Sequence, residues 1–265
     1  MKQQVTLFSF LLTILVAGCA SGPKPSDLPY AAFVQTDDLQ DTFLAAMPGV
    51  RAKPYSSDIR TGALSGRVDI PADWTGTTGG SPGKSLEIFV LSGTLWLSEF
   101  ELSPTGYAYI PPGSLGFRLK SDTGAQILYF LDEPDPKALI RSPIIMQRSY
   151  DWHYAIDGVH VIMLRTDTGN GSRAWLRHIK PGANEPWESS TAMREGYLVS
   201  GEYTTSECFG GEAVTATYQP GGYFRRPAGA LSGGPEAQAV TEAIWFFRDG
   251  ANAGIDYHEE CPPTD

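Results

Sequence analysis

Apolar and polar residues alternate in short runs along most of this chain, and each run ends at a turn. Clear examples are SLEIFVLSGTLWLS at 85–98, REGYLVSGEYTT at 194–205 and EAIWFFRDG at 242–250. Runs of this length, rich in aromatic and β-branched residues and bounded by Gly or Pro, are typical of β-strands. The pattern predicts an all-β protein. One short helix is expected over residues 37–47, where an acidic first turn precedes a Pro-Gly stop.

The strand pattern occurs twice in the same order. Each copy has an apolar strand that ends in glycine, at Gly93 and Gly201, then a Pro-x-Gly turn that begins at Pro111 or Pro227, then an aromatic strand. Three motifs repeated in one order indicate a tandem duplication. Strands separated by turns at intervals of about ten residues predict a double-sheet jelly roll or barrel for each copy.

This pattern divides the chain into six segments. They are a signal peptide at 1–18, a tether with a short helical lead-in at 19–54, a first barrel at 55–135, a linker at 136–157, a second barrel at 158–250 and an acidic tail at 251–265. The linker prediction rests on the Pro-rich and charged stretch between the two sets of strands.

The first residues predict a secreted lipoprotein. Lys2 precedes an apolar run that is too short to span a bilayer, and VAGC follows at 16–19. This tetrapeptide resembles a bacterial lipobox, which implies acylation of Cys19 and a membrane as partner. Ala20 resembles the sorting pattern for the outer membrane. We therefore expect a lipid anchor in the bacterial cell envelope, facing the periplasm, with an ordinary signal peptide as the alternative.

The net charge of the chain narrows the range of macromolecular partners. The chain carries 30 acidic and 20 basic side chains and a formal net charge of −10. Such a chain repels phosphate backbones, so we expect no nucleic-acid partner.

Besides Cys19, the chain contains only Cys208 and Cys261. In an oxidising compartment these two cysteines are expected to form a disulfide.

Two stretches of the second copy resemble the sequence motifs of cupins. They are PGANEPWESSTAMREGYLVSGEY at 181–203 and QPGGYFRRPAG at 219–229. The preceding residues 158–182 are similar to the strand pair of ChrR-type cupin domains, and two copies in one chain resemble bacterial bicupins of unknown function. The resemblance covers most of residues 55–250. It implies two RmlC-like jelly-roll barrels, each with a site in its interior.

The metal ligands of that family are missing at the matching positions. The family's first motif carries His-x-His and a glutamate before the final glycine, and its second motif is followed by a third histidine. The equivalent positions hold Gly80, Pro82, Leu86 and Gly116 in the first copy and Glu188, Ser190, Arg194 and Ser232 in the second. Imidazoles supply most of the affinity for iron, zinc or nickel, and an arginine repels a cation. We therefore expect no metal and no other cofactor.

Other titratable residues offer weaker signals. Glu87 and Glu195 are one residue out of register with the family's glutamate, so they should face away from the barrel interior. His178 lies on a predicted strand and could project inward with Glu188 as a metal or acid–base pair. A hydrogen-bonded strand histidine is the alternative. His160 alternates with apolar residues and is predicted to be structural.

The vacated site of the second barrel is a candidate ligand pocket. Its expected residues are Trp187, Glu188, Arg194, Tyr197, Tyr223, Arg225, Arg226 and His178. Because Arg225 and Arg226 are adjacent on a strand, one should face inward and the other outward. An inward arginine beside aromatic walls suits a sugar or a small carboxylate. The alternative is a structural pair with Glu188 or Glu195.

The sequence predicts a non-catalytic bicupin that binds a small molecule or a protein partner, and assembly as a homodimer is left open. Two alternatives from other classes remain. One is an enzyme that uses side chains without a metal, as some sugar epimerases of this fold do. The other is a metal-dependent dioxygenase or isomerase whose ligands lie elsewhere in the chain.

Overall fold

The computed structural model describes residues 22–45, 47–78, 83–114, 116–147, 151–183 and 185–263. The predicted signal peptide and Cys19 lie outside these residues, as do Gly80 and Pro82. Within them, no helix has the length and apolar character needed to cross a membrane.

Regular structure in the described residues is β, apart from two 3-10 turns at Pro25–Asp27 and Thr36–Asp38. The strands that precede the predicted linker are β1 (Val34–Gln35), β2 (Thr42–Phe43), β3 (Arg51–Asp58), β4 (Ala63–Ile70), β5 (Trp74–Thr77), β6 (Ser85–Gly93), β7 (Leu95–Leu97), β8 (Phe100–Leu102), β9 (Tyr107–Ile110), β10 (Arg118–Ser121) and β11 (Ala125–Asp132). The remaining strands are β12 (Ile144–Met146), β13 (His153–Ile156), β14 (Val159–Thr166), β15 (Arg173–Ile179), β16 (Trp187–Ser190), β17 (Arg194–Ser200), β18 (Tyr203–Phe209), β19 (Glu212–Tyr218), β20 (Gly222–Arg226), β21 (Leu231–Ala239), β22 (Ala243–Asp249) and β23 (Ile255–His258).

Each half of the chain builds a large sheet and a smaller one. The first half has the sheets β12-β9-β6-β11-β4-β3-β2 and β5-β10-β7-β8. The second half, joined by β1 from the N-terminal segment, has β1-β20-β17-β22-β15-β14-β13 and β19-β18-β21-β16-β23. The two large sheets correspond strand by strand, so that β6, β9 and β11 match β17, β20 and β22. The predicted all-β fold of two tandem barrels is confirmed.

The helix predicted over residues 37–47 is wrong. This segment contains part of a 3-10 turn and the strand β2, in which Phe43 pairs with Arg51 of β3. Just before it, Val34 of β1 pairs with Tyr223 of β20. These pairings with other strands outweigh the local helix signals, because tertiary context overrides weak helix propensity.

The two barrels exchange strands beyond the boundaries predicted from the sequence. β1 comes from the predicted tether and pairs with β20 of the second barrel, whereas β12 comes from the predicted linker and pairs with β9 of the first. β13 and β23, expected in the linker and the tail, belong to the second barrel. Each exchanged strand supplies hydrogen bonds to an edge that would otherwise be unpaired.

The interiors of the two barrels differ in composition. The first barrel is filled by aliphatic side chains such as Ile88 and Leu97, which are fully buried. The second is filled by aromatic side chains, with Trp245 and Phe247 at its centre, and by charged residues described below. Cys208 of β18 and Cys261 form a disulfide in the structure, and this bond holds the C-terminal residues against the second barrel.

The outer faces of the two large sheets pack against each other. The ring of Phe246 lies 4.9 Å from that of Phe89 and 5.8 Å from that of Phe130. Glu87 and Glu195 are buried in this interface and not in the barrel interiors. Arg248 donates to both, with Nε 2.5 Å from Glu87 Oε2 and Nη1 2.9 Å from Glu195 Oε2. Strand alternation explains why a one-residue offset turns both glutamates outward.

Candidate functional site

The four positions aligned with metal ligands in the second copy meet in space. Glu188 and Ser190 lie on β16, Arg194 lies on β17 and Ser232 lies on β21. Together with Arg226 they line one cavity of about 10 Å³, which is too small for more than a single water molecule. In the first barrel the equivalent position Leu86 is buried in the aliphatic core, and Gly116 is exposed.

Arg194 is held from two sides. Its Nε lies 2.6 Å from Oδ1 of Asp249, and its Nη1 lies 2.9 Å from Oε1 of Glu188. The guanidinium also lies 5.6 Å from the ring centroid of Trp175. Asp249 accepts a further hydrogen bond from Arg173 Nε at 2.6 Å. The charge of Arg194 is therefore neutralised within the barrel.

Arg177, on the inner face of β15, belongs to a second cluster of charged residues inside the second barrel. It forms an ion pair with Glu185, and its Nη1 lies 3.7 Å from Oε1 of Glu188. Burial opposes the charged form of Arg177, but Glu185 and then Glu188 outweigh burial and raise its pKa. Tyr203 donates to Glu185, and burial raises the pKa of this hydroxyl well above its ordinary value. The tyrosine therefore acts as a hydrogen-bond donor and stays protonated.

Arg226 faces the interior, but its partner differs from the predicted one. Its Nη2 lies 2.7 Å and its Nε 2.9 Å from Oε1 of Glu207 on β18. Tyr30, from the segment before β1, donates to the other oxygen of Glu207 at 3.1 Å. Arg225 points outward, is about half exposed, and lies 3.1 Å from Glu195. The expected pairing of an inward arginine from this strand with Glu188 is thus replaced by a pair with Glu207.

These residues do not fit a cupin-type metal centre. Two guanidiniums, from Arg194 and Arg226, border the small cavity, with two serines and one carboxylate. Guanidinium groups donate hydrogen bonds and cannot ligate a cation. In the part of the chain that the structure describes, no group of three or more His, Cys, Asp and Glu side chains is placed to hold a metal ion.

Four expected pocket residues lie elsewhere. Tyr197 and Tyr223 belong to the interface between the barrels, where Tyr223 Oη donates to Glu195 Oε1 at 3.0 Å. Each tyrosine is three residues away from an inward arginine on its own strand, so strand alternation places it on the opposite face. His178 also faces outward, with Nε2 3.7 Å from Glu242. Trp187 is buried against Gly234, where a side chain would collide with the indole.

A cleft of about 230 Å³ opens beside the small cavity. Strands β13, β14 and β15 form one side of it, and β16 and β23 form the other. Its polar residues are Arg173, Arg177, Glu188 and Arg194, and its walls include Ile156, Val159, Val161, Met163, Trp175, Ile255 and Tyr257. Ile156, Met163 and Tyr257 are large apolar side chains that are exposed to solvent. The cleft therefore combines a charged but internally neutralised floor with an accessible apolar rim.

Two polar atoms of residues that line the cleft have no hydrogen-bond partner among the described residues. Trp175 Nε1 is buried and has no hydrogen-bond partner among the described residues. Glu188 accepts from Arg194 through Oε1, whereas none of the described residues donates a hydrogen bond to Oε2. Sequence reasoning chose His178, which faces outward. It missed Trp175 and Arg177, which lie on the inner face of the same strand, β15. The pairing of Arg177 with Trp245, a core residue of the second barrel, identifies that face.

Comparison with known proteins places the fold. No family model matches the chain, and no curated protein matches it in sequence. Among solved structures, a candidate dioxygenase from Nostoc punctiforme is similar with a TM-score of 0.66 and 20% identity, over 87% of this chain and 88% of that one. Protein YlbA from Escherichia coli has a TM-score of 0.66 and 18% identity, over 82% and 89%. A variant of Bacillus subtilis oxalate decarboxylase has a TM-score of 0.57 and 10% identity, over 84% and 78%. These likenesses show the cupin fold.

Proposed function

We propose that this protein is a non-catalytic binding protein of the bacterial cell envelope, attached by a lipid at Cys19, whose second barrel binds a small hydroxylated molecule of the sugar class. The observation that carries the proposal is the replacement of the metal centre by the ion-paired Arg194, beside a cleft that contains an unsatisfied indole N–H. A barrel that carries an ion-paired arginine in place of a metal ion can bind a ligand without catalysing a reaction on it.

The charges of the cleft favour an uncharged ligand. Arg173 and Arg194 are bound to Asp249, and Arg177 is bound to Glu185. A ligand carboxylate would have to displace one of these acids, which costs several kcal/mol when it leaves a buried charge unpaired. A hydroxyl group can accept from an indole N–H and donate to a carboxylate oxygen in the same site.

The walls of the cleft suit the faces of a sugar ring. Trp175 and Tyr257 supply aromatic surface, and Val159 and Val161 supply aliphatic contact. Small-molecule sites are commonly concave, largely apolar and equipped with a few polar groups that orient the ligand. Here Trp175 Nε1 would donate to one ligand hydroxyl and Glu188 Oε2 would accept from another.

Calorimetric titration with glucose, galactose and N-acetylglucosamine tests this site. Trp175→Phe retains an aromatic ring but removes the N–H together with part of the indole, so we expect affinity to fall at least about twofold, the lower worth of one hydrogen bond. Trp96→Phe, in the first barrel, is the matched control and should bind like the parent. Tyr257→Ala should weaken binding further, whereas Tyr154→Ala, which removes a similarly exposed tyrosine, should not.

Two results would contradict the proposed site. One is an absence of heat and of any melting shift with all three sugars. The other is binding that is equal in the parent, Trp175→Phe and Tyr257→Ala proteins. The lipid anchor is tested separately, because Cys19→Ala should release the protein from membranes after a carbonate wash. Retention of that variant on membranes would place the attachment elsewhere.

A further inference from the structure

A larger cleft lies between the two barrels, apart from the sugar site proposed above. Its volume is about 380 Å³, within the range typical of small-molecule sites. Strand residues of both barrels line it, and the connection from β11 to β12 contributes one wall. No residue that lines this cleft also lines the sugar cleft.

The floor of this interbarrel cleft is built from buried polar side chains. Tyr109, Arg165 and Asn170 are each less than 9% exposed. Arg165 donates from Nε to Glu87 Oε1 at 3.2 Å and from Nη1 to Ser172 Oγ at 2.9 Å. Its guanidinium lies 4.6 Å from the ring centroid of Tyr109. These contacts hold Arg165 in one orientation at the base of the cleft.

The acidic side chains of the cleft are already engaged by other protein groups. Asp132 is paired with Arg248, Glu133 with Lys84 and Asp249 with Arg194, and Asp135 accepts from Asn170. A ligand cation would therefore compete with a guanidinium, an ammonium or an amide at each of these acids. The cleft offers little free acceptor capacity.

One charged donor of the cleft has no protein partner among the described residues. Arg141 is exposed and lines the cleft, yet it forms no hydrogen bond or ion pair with any described residue. Arg165 is engaged by Glu87, Ser172 and the Tyr107 hydroxyl, so it contributes a fixed positive charge to the floor of the cleft. Pro112, Pro134 and Met193 add apolar surface beside these donors. The cleft thus presents one free guanidinium, that of Arg141, together with a charged floor and a small apolar wall.

We propose that the interbarrel cleft binds a small organic carboxylate, with Arg141 donating to the carboxylate, the positive charge of Arg165 at the floor of the cleft, and the carbon skeleton against the prolines and Met193. A planar guanidinium matches a carboxylate through paired N–H donors and binds it more strongly than it binds a neutral acceptor. This cleft and the sugar cleft would then select ligands of different charge.

Calorimetric titration of the full chain with benzoate and succinate at low ionic strength tests the site. Arg141→Gln removes a charge that has no partner in the described residues, so the fold should be unaffected and affinity should fall at least about tenfold, in line with the loss of a charge-assisted hydrogen bond. The control Arg118→Gln removes another exposed arginine, on β10, and should bind like the parent. Tyr257→Ala, which perturbs only the sugar cleft, should also leave carboxylate affinity unchanged.

Three results would overturn the inference. The first is an absence of binding by both carboxylates. The second is an equal loss of affinity in Arg141→Gln and Arg118→Gln, which would indicate a general effect of net charge. The third is inorganic phosphate binding as tightly as the carboxylates, which would indicate an unselective anion site. Failure here with sugar binding intact would leave the proposed function standing, and the reverse result would leave this site standing.

Discussion

The two barrels have the same order of strands and contain different chemistry. In the first, the interior is aliphatic, and Leu86 occupies a position where the family carries a metal ligand. In the second, arginines and carboxylates are paired inside an aromatic core, with Arg194 at the equivalent position. Burying charge is expensive even when it is paired. Among the described residues, the interior of the second barrel alone contains such pairs, and for this reason we place the proposed sugar site there.

Breaking one buried pair should affect stability more than any surface change. Glu207→Leu leaves Arg226 buried without its partner, so the free energy of unfolding should fall by about 3–5 kcal/mol. Arg60→Ala, which breaks an exposed pair with Asp58 in the first barrel, should change it far less, because solvent screens such a pair. Urea denaturation measures both changes.

The double variant sharpens this comparison. Glu207→Leu combined with Arg226→Met replaces the pair by apolar groups, and such replacements are often neutral or stabilising. We expect the double variant to recover most of the stability that the single variant loses. If the double variant is as unstable as Glu207→Leu alone, the ion pair is not the source of the loss.

Removal of the disulfide should destabilise the second barrel. Cys208 and Cys261 are 53 residues apart, and a loop of this length contributes about 4 kcal/mol in the chain-entropy model. The Cys208→Ser, Cys261→Ser double variant should therefore unfold at lower urea concentration than the parent. The same shift should appear when the parent is reduced with dithiothreitol. Identical midpoints with and without reductant would show that the bond is absent or contributes nothing.

Acid should weaken the interface between the barrels. Burial alone would raise the pKa of Glu87, but the charges of Arg165 and Arg248 outweigh burial and lower it to about 2. Because this pKa is depressed, the stabilisation is complete above the unfolded value of about 4.3 and is lost as the pH falls toward 2. A shift of this size corresponds to about 3 kcal/mol.

This linkage is tested by urea midpoints measured between pH 6 and pH 2. That range brackets the pKa of an unfolded glutamate, about 4.3. Glu87→Gln should flatten the acid-dependent part of the curve. Glu101→Gln, which alters an exposed carboxylate of the first barrel, should leave the curve unchanged. An unaltered slope in Glu87→Gln would show that other carboxylates cause the acid sensitivity.

Strand alternation made much of the fold and part of the site predictable. The duplicated pattern gave the two barrels, and counting back from Gly201 led to Glu188, Ser190 and Arg194, which the structure places around one cavity. The same period would have excluded Tyr197, because it lies an odd number of residues from Arg194. That inference was available from the sequence and was missed.

The ion-pair partners could not be predicted in the same way. Arg226 pairs with Glu207 across 19 residues, and Arg194 pairs with Asp249 across 55. Such partners depend on which strands become neighbours and on which of several carboxylates reaches each arginine. The exchange of β1 and β12 between the barrels is likewise a property of the whole chain. Local signals therefore led to a tether in place of β1, a helix in place of β2 and a linker in place of β12.

Metal content of the purified protein tests most directly whether the ion-paired Arg194 takes the place of a metal centre in the second barrel. We predict far less than one ion of iron, zinc, nickel or manganese per chain after growth in medium supplemented with all four, because Arg194 and its carboxylate partners fill the position of the metal centre. Elemental analysis of the parent and of Glu188→Ala supplies the measurement. A near-equimolar metal in the parent that is lost in Glu188→Ala would contradict the account and show that the second barrel is a metal centre.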